Sequence, residues 1–341
     1  MINKRIKQLR KKFDQFNIDG YIITKNDEFF SEYAVKDRLK IISNFSGSAG
    51  LAVVLKKKNY LFVDGRYTIQ AQQQSGKIFD IIEIHRFLPH EIIKNLTLGF
   101  DPNLLTKKQL NIYFGKSLKV KQINTNLVDQ IYKNKNFKTK KFFSLNNNVA
   151  GENFKTKLKR IRNILKSNKA DYLLVSAPEN VAWALNIRGA DNPNSPIPNC
   201  RLLIEKNKKL FLITQKEKAS RIIAEKKLSK KQIFDPSKFQ NLINSLKGKK
   251  FIIDPLSCSV LNEKIIKSKF QIANIGDPCY MLKSIKNSSE IKYMKNAHIE
   301  DGVALTKFIY WIKKINKRKI TEVESQNKLE KFRKFNKNYL F

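Results

Sequence analysis

The sequence predicts an α/β fold: two tandem, related α/β domains, followed by the first helices of a third, incomplete domain. Three observations predict it. Short apolar runs bounded by turn residues alternate with stretches of helical periodicity. The same series of features occurs twice, displaced by about 150 residues, which is the mark of an internal duplication. From Tyr280 the character changes and only helical patterning remains. The expected divisions are 1–145, 146–282 and 283–341.

In the first division, Ile6, Leu9, Phe13 and Phe16 recur at helical spacing, so residues 5–16 are expected to be a helix. Asp19-Gly20 ends it, and Tyr21-Ile22-Ile23 begins a short buried strand. Residues 51–55 and 60–63 read as two further strands joined by the lysine-rich turn 56–59. A helix over 67–74, an alternating strand over 78–84, a strand over 98–100 and further short helices to 131 complete the unit. The polar, basic, Asn-rich stretch 133–148 is the expected linker.

The second division repeats the plan. A helix over 154–165 precedes a strand over 172–175, and Asn186-Ile187-Arg188-Gly189 takes the place of Asn44-Phe45-Ser46-Gly47. Residues 201–204 and 209–212 form a strand pair around a lysine turn, and Phe251 to Pro255 repeats Leu98 to Pro102 as an apolar run ending in Asp-Pro. In the third division, Asn287 with Glu290 is a helix start signal. The long helix to about residue 314 carries Ile291, Met294, Ala297, Val303, Leu305, Phe308 and Ile312 among its apolar positions. Thr321 with Glu324 has capping-box spacing and opens a second helix through 335. Two helices with apolar stripes and no sheet to cover make part of a domain, so the chain reads as truncated.

The 341 residues are 41% hydrophobic, enough for packed cores, and no apolar run approaches the roughly 18 to 20 residues of a membrane-spanning helix. The charged start, residues 1–12, lacks the apolar stretch of a secretory signal. Three separated cysteines, Cys200, Cys258 and Cys279, are neither a disulfide framework nor a thiolate metal site, and the expected compartment is the cytoplasm. A net charge of +39 raises nucleic acid as a partner. Yet lysines outnumber arginines and are spread over turns and helix ends at 56–58, 138–141, 226–231 and 247–250, which disfavours a nucleic-acid site.

Few residues carry chemistry. The small-residue loop 44–50 leads into a strand and lacks Gly-Lys-Ser/Thr, so it reads as a tight turn and not a phosphate loop. Asp64-Gly65-Arg66-Tyr67 follows a strand and precedes a helix; Asp64 can cap that helix, and Arg66 falls at the strand's carboxyl end, where α/β sheets place ligand contacts. A guanidinium there suits a substrate carboxylate or carbonyl, with pairing to an acid of the chain as the alternative. His85, His90 and His298 have no metal-ligand spacing, and Asp101 and Asp254 are turn residues before proline. No nucleophile elbow is present. Catalytic and metal-ligating residues are therefore none.

The motifs together resemble a known family. Residues 41–55, Phe62-Val63-Asp64-Gly65-Arg66-Tyr67 and Gln70-Ala71 are similar to the first domain of Xaa-Pro aminopeptidases of the long, three-domain, cytosolic type, with its creatinase N-terminal fold. Residues 179–189 resemble that family's second domain. Residues 283–287, Glu290-Ile291 and 297–305 resemble the entry to its pita-bread metallopeptidase domain, which implies that the incomplete third domain is α+β. The resemblance implies removal of an N-terminal residue from peptides with proline at position two, by a water that two divalent ions, usually manganese, activate. It also implies that Arg66 reaches toward bound peptide. The family's two aspartates, one histidine and two glutamates for the metals have no counterpart here, so the chain is expected to bind no cofactor and to be inactive alone. A non-catalytic binding or dimerisation module, with a homodimer left open, is the alternative, and a basic nucleic-acid binder ranks third.

Overall fold

Short apolar strands, buried on both faces at their centres, build two mixed sheets. The computed structural model describes residues 1–31, 34–115, 117–132, 140–315 and 319–340. The strands run in chain order as β1 (Gly20–Thr24), β2 (Gly50–Leu55), β3 (Asn59–Val63), β4 (Asp80–Glu83), β5 (Thr97–Phe100), β6 (Lys119–Gln122) and β7 (Phe143–Ser144). They continue as β8 (Tyr172–Val175), β9 (Ile187–Arg188), β10 (Arg201–Glu205), β11 (Leu210–Ile213), β12 (Ile233–Phe234), β13 (Lys250–Ile253) and β14 (Gln271–Asn274). The first sheet has the order β4-β3-β2-β1-β5-β6 and the second β12-β11-β10-β8-β13-β14, while β7 and β9 form a small ladder. In each six-stranded sheet one strand, β2 or β10, runs antiparallel to both neighbours, and the other pairings are parallel.

The duplication holds to the level of single hydrogen bonds. Corresponding strands open at 20 and 172, 50 and 201, 59 and 210, 80 and 233, 97 and 250, and 119 and 271, a displacement of 151 to 153 throughout. Asp19 donates its N–H to Thr97 O, accepts from Lys56 N at its carbonyl, and takes Thr97 N on its carboxylate. Asp171 does the same with Lys250 and Lys206. Asn44 and Asn186 each end a helix in the left-handed conformation, with φ of 69° and 51°, as the shared Asn-x-x-Gly pattern requires.

Both faces of each sheet are covered. Tyr21 and Ile23 pack with Ile6, Leu9 and Phe13, whereas Ile22 packs on the opposite side with Phe62, Leu98 and Phe114. Leu173 and Val175 likewise face Leu158, Ile161 and Leu165, and Tyr172 and Leu174 face Leu242, Ile243 and Ile266. Full burial of each aliphatic side chain contributes about 1.5–3 kcal/mol, so these four layers hold the sheets.

Asp171 shows how a carboxylate pins strand ends. It accepts from Lys206 Nζ at 2.7 Å, Lys249 N at 2.7 Å and Lys250 N at 3.1 Å. A Cβ at Gly248, where φ is +152°, would sit 2.9 Å from the same carboxylate, so the approach needs glycine. Burial pushes the Asp171 carboxyl up, but Lys206 and the two backbone N–H groups outweigh it and bring it to about 2. A carboxyl lowered in the fold contributes stability above its unfolded value of 3.8, and that stability is lost as pH falls from there toward 2. Asp171→Ala is expected to cost about 1–3 kcal/mol in urea unfolding at neutral pH, with the difference from the parent narrowing in strong acid. An unchanged midpoint at pH 7 would remove Asp171 as a clasp.

The structure differs from the sequence expectations at particular places. The helix expected over 5–16 is Ile2–Arg10, and a 3₁₀ turn over Asp14–Phe16 follows, because the chain tightens there to bury Phe13 before entering β1. Of the expected linker, 133–139 lie outside the described residues. Beyond them the stretch is structured: Phe142 is buried in the second core, and β7 pairs with β9. The lysine turns 56–58 and 206–209 do join strands. Lys157, 2% exposed, departs from the solvated-lysine reading; it donates to Asn186 Oδ1 at 2.8 Å and lies 4.6 Å from the Trp183 ring centroid.

The two units meet through equivalent residues. Thr106 and Ser259 cap the helices that follow β5 and β13, and they form an antiparallel bridge with each other. Val260 N donates to Leu105 O and Leu261 N to Pro102 O, both at 2.9 Å. The carboxyl ends of both sheets thus face a shared cleft, with adjoining cavities of about 710 and 330 Å³. Beyond residue 285 both helix starts form as expected, the one at Asn287 also as a capping box, and the helices are Ser288–Lys314 and Glu322–Arg333. Asn287 ties the first to Ala150 O at 2.9 Å, and Arg333 grips Asp301 with two hydrogen bonds. Ile299, Val303 and Ile309 on the long helix stay exposed, and Ala304 is its buried residue.

Candidate functional site

Arg66 sits where the strand-end reading places it. β3 ends at Val63, Asp64 caps the 3₁₀ turn Gly65–Tyr67, and the helix Thr68–Ser75 follows. One oxygen of Asp64 accepts from Arg66 N at 3.0 Å and from Arg66 Nε at 2.8 Å. His85 Nε2 lies 3.4 Å from the other oxygen. The Arg66 guanidinium holds the Asp64 carboxyl below the usual carboxylate range, with the Arg66 backbone N–H adding to it. Asp64 therefore stays ionised and orients an arginine side chain that is 74% exposed. Behind it, Tyr67 shares a hydrogen bond of 2.8 Å with Ser48, which lies on the wall of the larger cavity. Such an arrangement can present guanidinium N–H groups to a carboxylate or carbonyl while fixing the chain that carries them.

The other candidates resolve into structural roles. Gly47 needs to be glycine because a Cβ would lie 2.2 Å from the Phe45 ring, so loop 44–50 is a close-packed turn. Asp101 accepts from Asn103 N and Asn126, and Asp254 from Leu256 N and Ser257, so both fix turns. His90 contacts Tyr113 O at 3.2 Å, and His298 lies on an exposed stretch of the long helix. All three cysteines are buried, and burial pushes the Cys258 thiol up to about 12, away from nucleophilic use. Among the described residues no group of three His, Cys, Asp or Glu side chains is placed to hold a metal ion. A two-ion centre therefore does not fit the donors described, and no catalytic step can be routed through metals held by them.

Sequence reasoning missed the residues that shape the cleft. Arg38, with its side chain 3% exposed, forks onto Asp129 at 3.1 and 3.0 Å and reaches Glu28 at 2.7 Å. That network fixes the segment carrying Glu28 and Phe29, which lines both cavities. Asn180, inside the motif 179–189, donates to Asp277 at 2.7 Å and accepts from Lys283 at 2.6 Å. The motif is thus a clasp between the second sheet's helices and the start of the third division. An Asn at a buried helical position was the available signal, but its partner lies 97 residues away.

Comparison with known proteins fits this architecture. Residues 5–129 and 133–290 each match the creatinase/prolidase N-terminal domain. Xaa-Pro aminopeptidase 1 of Dictyostelium discoideum is 31% identical over 377 aligned positions, covering 98% of this chain and 57% of that protein. The Xaa-Pro aminopeptidase ApepP of Drosophila melanogaster is 29% identical over 96% of this chain and 57% of its own length. The chain thus spans a little over half the length of the curated relatives it matches. A solved X-prolyl aminopeptidase from Caenorhabditis elegans, a cytosolic enzyme with a di-nuclear active site, shares the fold with a TM-score of 0.87. That match is 24% identical and covers 100% of this chain and 61% of the other. Two creatinase/prolidase N-terminal domains in tandem make up most of this chain, and it belongs among the Xaa-Pro aminopeptidase homologues.

Proposed function

We propose that the chain is the substrate-orienting front of a cytosolic Xaa-Pro aminopeptidase, divided at 1–145, 146–282 and 283–341. The metal site, two manganese ions in this reading, belongs to a portion that the described residues do not include. The observation that carries it is the Asp64–Arg66 pair at the carboxyl end of β3, in a chain whose relatives are Xaa-Pro aminopeptidases. In a complete enzyme Arg66 would hold a carboxylate or carbonyl of a peptide with proline second, fixing the scissile bond against the activated water. When bound, the ions would lower the pKa of that water and stabilise the tetrahedral oxyanion.

The exposed apolar positions on Ser288–Lys314 also favour a second reading, a binding or dimerisation module without catalysis. The two separate on one substitution. In protein carrying the catalytic remainder, Arg66→Ala should lower kcat/KM for an Xaa-Pro peptide about 10- to 100-fold, the loss of one or two charge-assisted hydrogen bonds. The melting temperature should hold, because the side chain is exposed. Unaltered kinetics would leave Arg66 as a partner of Asp64 and nothing more.

A further inference from the structure

The smaller cavity of the cleft contains a cation that the peptide-contact reading leaves unused. Arg201 opens β10, partly buried, with its guanidinium 4.7 Å from the Phe29 ring centroid. Among the described residues it donates one hydrogen bond, to Glu28 O. Among the described residues it forms no ion pair, and the Glu28 carboxylate is taken by Arg38. Burial opposes the charge and lowers the guanidinium's pKa. A desolvated cation in this position is costly unless an anion meets it.

The walls of the cavity, about 330 Å³, define which anion. Arg201 pairs with Ile213 across β10 and β11; Thr214 directly follows Ile213, and Asn199 lies two residues before Arg201. Thr214 is 1% exposed, and among the described residues neither its hydroxyl nor the buried Oδ1 of Asn199 has a hydrogen-bond partner. Both residues line the cavity, which Ile213, Phe239, Leu261 and Ile265 enclose with apolar surface. Orphaned buried polar atoms are uncommon in folded proteins, and two beside an unpaired guanidinium describe a site built for a ligand. The set offers N–H and O–H donors for a carboxylate, one acceptor for a neighbouring donor, and room for an aliphatic group.

We propose that this interdomain pocket binds a small apolar α-amino or α-hydroxy carboxylate, with Arg201 and Thr214 on the carboxylate, Asn199 accepting from the α-substituent, and the aliphatic wall around the side chain. The test is calorimetric titration of the purified chain with L-leucine, 2-hydroxy-4-methylpentanoate, leucinol and 4-methylpentanoate. One or both of the first two should bind saturably, which also tells the amino from the hydroxy source. Leucinol, without a carboxylate, should bind at least about tenfold more weakly, and 4-methylpentanoate, without the α-donor, should also lose affinity. Arg201→Met should abolish the signal. Thr214→Val guards against a folding artefact: removing an unpaired buried hydroxyl should leave the free chain as stable or more so, while ligand affinity falls. Leucinol binding as tightly as leucine, full affinity in Arg201→Met, or no saturable binding to the parent chain at millimolar ligand would each overturn the assignment.

Discussion

Arg38→Met is expected to destabilise the first sheet's domain by about 2–4 kcal/mol, read as a lowered midpoint in urea. The guanidinium makes three hydrogen bonds, two to Asp129 and one to Glu28, from a side chain 3% exposed. Removing one partner of a buried ion pair costs about 3–5 kcal/mol, because the other charge is left uncompensated. Here the cost is smaller, since Glu28 and Asp129 are partly exposed and Lys36 still reaches Asp129 at 2.6 Å. Burial pushes both carboxyls up, but Arg38 outweighs it and holds them below their usual range. Their contribution is therefore present at neutral pH and lost as pH falls through the acid range, so the difference between parent and variant should shrink there. Loss below about 1 kcal/mol at pH 7 would show that the fork is dispensable. The segment it fixes carries Phe29, the ring under Arg201, so the same variant should also weaken ligand binding in the cleft.

How much of this was legible in the sequence follows from where the information sits. The duplication, the central strands and the two helix starts at Asn287 and Thr321 are local patterns of apolar spacing and end residues, and they appear as read. Edge strands were harder. β6 is Lys-Val-Lys-Gln with every side chain exposed, so nothing in its composition separates it from a loop. Arg66 was readable because a turn signature follows a strand directly. Arg38, Lys157 and Arg201 were not, because a cation looks solvated until its partner is known. Asp129 lies 91 positions from Arg38, and Glu28 lies 173 from Arg201. Only the packing of two sheets on a shared cleft brings those pairs together.

The reading of the chain as a front portion turns on its donors. Hydrolysis by the two-ion strategy needs a cluster of carboxylates and imidazole around the water. The three histidines stand apart: His85 beside Asp64, His90 against Tyr113 O, and His298 on the long helix. The most direct measurement is release of the N-terminal residue from an Xaa-Pro peptide by purified 1–341 with added manganese, alone and joined to the portion by which its relatives exceed it. The account predicts no release above a metal-free control from 1–341 and restored, metal-dependent cleavage from the joined protein. Metal-dependent turnover by 1–341 alone would contradict it.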